Sequence, residues 1–389
     1  MPHCRFGSRF CTVIALFFCL LFALPAAAGP INAKSAILMD VTTGRLLYEQ
    51  YADRRIPPAS LTKVLSMYVA MEAISSGKTS YQKKVKVSRN AARTRGSTMF
   101  LKTGDVVTLD KLFYGMAVAS GNDASMAVAE HIAGSPSAFV QRMNRLARHI
   151  GMKNSRFQNV HGLPADGQYT TARDMLTMAR SYEKKYPRAR KYHLAKYIQH
   201  NGKTEPNHNP LVGYYRGING LKTGWITAAG YNIIVSATRH GHKLIGVILG
   251  APNTSVRAAE SRRLLNAGFD VISHQTKRTV AQELGVSAQQ AKRFGKGNPV
   301  IETAKKKNSV KRGGRKSEAA MKKEWAKLRA EQKKAPAKAA KKQPSLKKTA
   351  AKTQNIQAEK AHSPAPASRQ QALSPAEAAL ADLKAAQKK

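Results

Sequence analysis

Residues 231–250, YNIIVSATRHGHKLIGVILG, set two runs of β-branched and apolar side chains on either side of His240 and Gly241. That pattern predicts a β-hairpin, because branched side chains suit a pleated surface and a two-residue turn with positive backbone angles joins antiparallel strands without splaying them. Far upstream, SAILMDVTTGRLLYEQ, residues 35–50, repeats the pattern with a turn at Thr43 and Gly44. Both are expected to be hairpins of one antiparallel sheet. Between them, residues 60–76, 108–120, 123–133, 136–150 and 171–185 space their apolar side chains as helices do, bounded by Gly77, Gly121, Gly134 and Gly151. A closing helix over about 256–267 would set Leu264 and Leu265 on the sheet. Strands first and last with helices between predict an α+β fold, an antiparallel sheet flanked by helices with a helical subdomain.

Composition agrees with a folded body and a different tail. The chain has 389 residues, 42% of them hydrophobic, with 66 Lys and Arg against 22 Asp and Glu, a formal charge of +44. A core of one large or two ordinary domains is within reach, and disorder throughout is excluded. Residues 271–389 alone hold 29 basic and 8 acidic side chains. There, stretches such as KKAPAKAAKKQPSLKKTAAK bury too little apolar surface to offset the entropy of ordering them. The expected organisation is therefore a folded domain over 29–270, a short, partly structured connector over 271–304 and a largely disordered Lys/Ala/Pro-rich tail over 305–389. Within the tail, Ser374, Pro375 and Glu377 would start a short helix over 374–388, whose apolar face is too thin to anchor a membrane.

The N-terminus reads as a secretory signal peptide over 1–28: Arg5 and Arg9, the apolar run CTVIALFFCLLFALP, and an A-x-A site ending at Ala28. An uncleaved anchor is the alternative. All three cysteines, Cys4, Cys11 and Cys19, fall within this segment. The mature chain is thus expected to be exported and cysteine-free, which excludes thiol chemistry and disulfides.

The chemistry-bearing pattern is S-x-x-K, which sets a serine and a lysine one helical turn apart on one face, where a neutral amine can take the hydroxyl proton. It occurs at Ser60, Ser75, Ser80, Ser181 and Ser345, so alone it selects nothing. Only Ser60 follows two prolines, Pro57 and Pro58, and opens a strongly apolar helix, at whose positive end an oxyanion is favoured. S-x-N occurs at Ser88 and at Ser120 with Asn122; K-T-G occurs at Lys102 and at Lys222 to Gly224. Lys102 leads into a helix and reads as a loop, whereas Lys222 precedes the 231–250 hairpin, which puts Thr223 on a strand edge where an acyl substrate can pair.

The order Ser60 with Lys63, Ser120 with Asn122, then Lys222 to Gly224 resembles the S-x-x-K, S-x-N, K-T-G triplet of penicillin-binding proteins and serine β-lactamases. The chain is most similar in kind to the low-molecular-mass, serine-type D-alanyl-D-alanine carboxypeptidases, through PASLTKVLSMYVAMEAI, MFLKTGDVV, ASGNDASMAVAEHIAG, NVHGLPADGQYTTARDM and INGLKTGWITAAGYNIIVSATR. The resemblance implies a penicillin-binding protein fold and removal of the terminal D-alanine from peptidoglycan stem pentapeptides, with penicillin and other β-lactams as covalent inhibitors. It implies Ser60 as nucleophile, Lys63 as general base and Ser120 as proton shuttle. Asn122 would hold the substrate amide, Lys222, Thr223 and Arg257 its terminal carboxylate, and the amides of Ser60 and Trp225, beside Gly224, the oxyanion.

A cation such as Lys222 near Lys63 would depress its amine toward neutrality, as a base needs. A D,D-endopeptidase or weak β-lactamase of the same fold, or a non-catalytic envelope-binding protein acting through its tail, are the competing readings. His161 with Asp123 invites a Ser-His-Asp site, but His161 is expected to organise a loop instead. No metal or cofactor pattern is present in the sequence. The family's usual second, β-rich domain and amphipathic helix are not recognisable after Asp270, and the basic tail is expected to bind an anionic membrane surface or envelope polymers by charge, with nucleic acid no physiological partner. The expected location is the periplasm or the outer face of the cytoplasmic membrane.

Overall fold

The computed structural model describes residues 29–294. The expected signal peptide, the connector beyond residue 294 and the tail lie outside the described residues.

Two hairpins and one extra strand make the sheet. Strands β1 (Ser35–Asp40) and β2 (Arg45–Gln50) form the first hairpin, β8 (Gly230–Arg239) and β9 (His242–Ala251) the second, and β7 (Ile218–Ile226) precedes it. The order is β2-β1-β9-β8-β7, antiparallel throughout, with β7 at an edge. The second hairpin turns where expected: His240 and Gly241 have φ of 47° and 79°, the twin positive angles of a tight two-residue turn. Asp40 ties the two hairpins together, accepting hydrogen bonds from Thr42 N and Thr43 Oγ1 and pairing with His242 Nδ1 at 2.9 Å.

The sheet is covered on both faces, which explains why its central strands are apolar runs rather than alternating ones. Ile37, Ile234, Ile245, Val247 and Leu249 pack into one core, and Leu38, Ile233, Val235, Leu244 and Ile248 into the other, a strict period of two. The first core belongs to the helices between the hairpins: α1 (Thr62–Ser75), α2 (Arg89–Ala92), α3 (Leu109–Ala117), α4 (Asn122–Ala133), α5 (Pro136–His149) and α6 (Ala172–Lys185). Helix α1 is buried on every side, its first turn included, which removes the amine of Lys63 from water. The second core lies under α8 (Thr254–Ile272), where Leu264 and Leu265 are buried as expected.

Smaller elements went unanticipated. Strands β3 (Lys84–Lys86) and β4 (Val106–Thr108) pair, as do β5 (Tyr197–His200) and β6 (Lys203–Pro206), and α7 (Arg190–Leu194) precedes the latter. The β5–β6 hairpin turns at Asn201 and Gly202. Part of the expected connector is folded: α9 (Val280–Glu283), opened by a capping box of Thr279 and Gln282, and α10 (Ala288–Phe294) bury Val280, Leu284, Val286 and Phe294 in the second core. Phe294 sets its ring edge-on to Tyr51 at 5.3 Å, closing the sheet beside β2.

Candidate active site

Ser60 sits in a single 3₁₀ turn, Ala59–Leu61, which runs directly into α1. The two preceding prolines restrict the chain to enter this way, and Thr62 Oγ1 donates to Ala59 O at 2.8 Å to hold the turn. One turn on, Lys63 is fully buried, with Nζ 2.9 Å from Ser60 Oγ and 2.8 Å from the carbonyl oxygen of His161. Burial first, and the charge of Lys222 second, hold this amine well below the usual lysine range, while Asp123 opposes them. In its neutral form it can donate one proton to His161 O and turn its lone pair to Ser60 Oγ.

The S-x-N element forms the second wall. Ser120 is 3% exposed and takes a φ of 57°, which turns the chain sharply from α3 into α4. Asn122, the first residue of α4, donates through Nδ2 to Arg95 O at 2.7 Å, and its buried Oδ1 has no partner among the described residues. An acceptor is thus left for a donor from outside. Next to it, the Asp123 carboxylate gathers the Thr98 hydroxyl and the amides of Met99 and Leu101, fixing the 98–101 loop.

The third wall is the edge strand β7. Gly224 packs directly on the Ser60 turn: a β-carbon there would meet Ser60 N at 2.9 Å and Leu61 N at 3.2 Å. Lys222 is buried, donates to Thr223 O at 2.8 Å, and is lowered to about 7 by burial and then by the charge of Arg257. Thr223 is buried, while Trp225 is half exposed, with its ring 5.7 Å from that of Tyr231. Arg257, in the first turn of α8, is lowered to about 10, chiefly by burial. Its Nη2 reaches His208 O only at 3.4 Å, and its Nε has no partner among the described residues. Lys222 and Arg257 therefore set poorly compensated positive charge beside the amine of Lys63, an arrangement that calls for an anionic ligand.

No Ser-His-Asp relay forms. His161 supplies its backbone carbonyl to Lys63, its ring accepts from Leu163 N at 3.2 Å, and burial holds the ring neutral, down to about 3. The expected loop role is what the geometry shows. Two histidines escaped the sequence reading. His208, lowered to about 4 by burial and then by Lys222, Arg257 and Lys63, stands in the field of all three cations. His193 lies behind β7, with Nδ1 3.1 Å from Leu221 O and Nε2 3.1 Å from the Tyr182 hydroxyl. Neither belongs to a motif or a periodic face, so no sequence signal marks them.

Residues 23–253 match the family model described as D-alanyl-D-alanine carboxypeptidase. Among curated proteins, the chain is 39% identical over 266 residues to D-alanyl-D-alanine carboxypeptidase DacC of Escherichia coli, covering 65% of this chain and 66% of that one. Penicillin binding protein 5 of Haemophilus influenzae has a similar structure, with TM-score 0.60 and 37% identity over 62% of this chain and 71% of that one. So does penicillin-binding protein D2 of Listeria monocytogenes in its ampicillin-bound form, with TM-score 0.57 and 27% identity over 61% and 98%. The chain matches between 61% and 66% of the length of DacC and the next curated relatives. The extent of the family match, the identity to these relatives and the likeness of fold agree: this chain belongs to the D-alanyl-D-alanine carboxypeptidase family.

Proposed function

We propose that this protein is a serine D,D-carboxypeptidase that removes the terminal D-alanine from peptidoglycan stem pentapeptides through an acyl-enzyme on Ser60. The observation that carries this reading is the buried, depressed amine of Lys63 at 2.9 Å from Ser60 Oγ. Neutral Lys63 takes the hydroxyl proton as Oγ bonds to the carbonyl carbon of the penultimate D-alanine. The amides of Ser60 and Trp225 receive the developing oxyanion, at the end of a helix whose dipole favours it. Ser120 passes the proton to the leaving D-alanine nitrogen, and water then releases the shortened peptide. Asn122 offers its free Oδ1 to the substrate amide. Lys222, Thr223 and Arg257 hold the terminal carboxylate, whose charge relieves the mutual repulsion of the cations and keeps Lys222 protonated.

β-Lactams, with a carboxylate and a strained amide of similar layout, acylate the same serine under this reading. Endopeptidase and weak β-lactamase activity would use the same acyl-enzyme, and nothing at the site favours them. Export to the periplasm or the outer face of the cytoplasmic membrane rests on the reading of residues 1–28, and attachment to anionic envelope surfaces on the tail.

The test is labelling of the purified protein by a fluorescent penicillin, with Ser60→Ala as control, followed by release of D-alanine from a soluble pentapeptide. Adduct on Ser60 with D-alanine release is expected. A folded protein with neither would overturn the proposal.

A further inference from the structure

From His131 to Ala165 the sequence has no Asp or Glu, yet carries Arg142, Arg145, Arg148, Lys153 and Arg156. The fold turns this stretch into a concave surface. A groove of about 1160 Å³ runs between α5 and the returning segment 152–160, lined by Arg145, Arg148, Lys153 and Arg156, with Gln141 and Asn159 among the polar groups between them. No acidic residue lines it. All four basic side chains are exposed, and none makes an ion pair among the described residues. Arg145 and Arg148 lie three residues apart on one helical face, with about 4.5 Å of axial rise between them.

We propose that this groove is a docking site for a linear polyanion, a flexible chain bearing a carboxylate or phosphate at each repeat. Three observations favour a chain over a flat bilayer. The surface is concave. Its four cations come from two different segments, two from α5 and two from 152–160, so both stretches of the lining carry charge. The large exposed apolar side chains, Leu46, Val106, Tyr197, Tyr214 and Trp225, all lie on other segments, so nothing here would enter a lipid interface.

The charge is also set for capture rather than for structure. Residues 29–294 hold 39 basic and 15 acidic side chains, so the folded body alone attracts polyanions at long range, and an unpaired row of guanidiniums adds a place to hold them. The groove floor reaches Val160, whose carbonyl accepts from Ser66 of α1, one residue before the His161 carbonyl that touches Lys63. Docking there would hold the polymer against the outer side of the segment whose inner side lines the catalytic cleft.

The test uses the full chain, so that the contribution of the tail is common to every sample. Binding of long-chain polyphosphate and of polyglutamate is measured at 0.15 M salt for the wild type and for Arg145→Gln/Arg148→Gln/Arg156→Gln. Lys83→Gln/Lys84→Gln/Lys86→Gln removes the same charge from another exposed surface as control. The arginine triple is expected to weaken binding about tenfold, the product of three exposed ion contacts of ordinary strength, and the lysine triple less than twofold. Turnover of a soluble peptide should be unchanged in both, because none of the six contacts the cleft, so a failure here is separate from a failure of the catalytic reading. Loss with both polymers, or with only one, supports the groove and tells which anion it takes. Equal loss in the two triples, no loss in either, or a loss seen only with phosphatidylglycerol vesicles overturns it.

Discussion

Gly224 and Ser60 stand so close that a β-carbon on the glycine would lie 2.9 Å from the serine amide nitrogen. Contact between the edge strand and the Ser60 turn is thus backbone to backbone, and the oxyanion site depends on it. Gly224→Ala should push β7 away from the turn and slow acylation by penicillin about 100-fold, the cost of a misplacement of the order of 1 Å. Stopped-flow labelling checks this, and an acylation rate within threefold of wild type would show that the amide pair is not used.

Lys63→Ala should remove acylation almost wholly, by about 10²–10⁴-fold, with Ser60 still present and the fold retained. The larger, permanently charged Lys63→Arg should not restore it, since a guanidinium cannot act as base. Labelling rates of the two variants beside circular dichroism give the answer.

The acylation rate should fall as pH drops and Lys63 takes up a proton. Since the charge of Lys222 lowers the Lys63 pKa, removing that charge raises it, so in Lys222→Met the acid limb should move to higher pH. The position of the limb, rather than its height, is the readout, because the same substitution weakens carboxylate binding. An acid limb that stays put would mean the two amines do not sense one another.

His193→Phe should lower stability by about 3 kcal/mol, because Leu221 O and the buried Tyr182 hydroxyl both lose their partner. Leu221 immediately precedes Lys222, so acylation should slow as well. Thermal unfolding and labelling measured together separate the two effects.

Asp123→Asn should cost about 2–4 kcal/mol, since the carboxylate collects the 98–101 loop through the Thr98 hydroxyl and the amides of Met99 and Leu101. It should also remove the negative charge that favours protonation of Lys63, moving the acid limb to lower pH, opposite to Lys222→Met. Denaturant unfolding and the pH profile are the two measurements.

Much of this protein was legible before folding. The paired apolar runs of residues 35–50 and 231–250 announced both hairpins, and helical spacing located the helices between them to within a few residues, because period two and period 3.6 are local properties of the chain. The β5–β6 hairpin was missed although Asn201–Gly202 signals a turn, since its strands are short and polar. Residues 271–294 looked like a connector because their apolar side chains are sparse. They fold because Val280, Leu284, Val286 and Phe294 find a core that the sheet and α8 already provide.

The sequence by itself determined that Ser60 and Lys63 share a helical face, because one turn of backbone brings them together wherever the helix lies. Spacing alone did not single out one of the five S-x-x-K pairs; the two prolines before Ser60, the apolar helix it opens and the order of the three motifs did, while the burial of Lys63 came only with tertiary packing. That burial, the approach of Lys222 from a strand about 160 residues away, and the His161 carbonyl are what turn an ordinary amine into a base. Desolvation and charge proximity depend on distances through space, and no spacing along the chain encodes them directly.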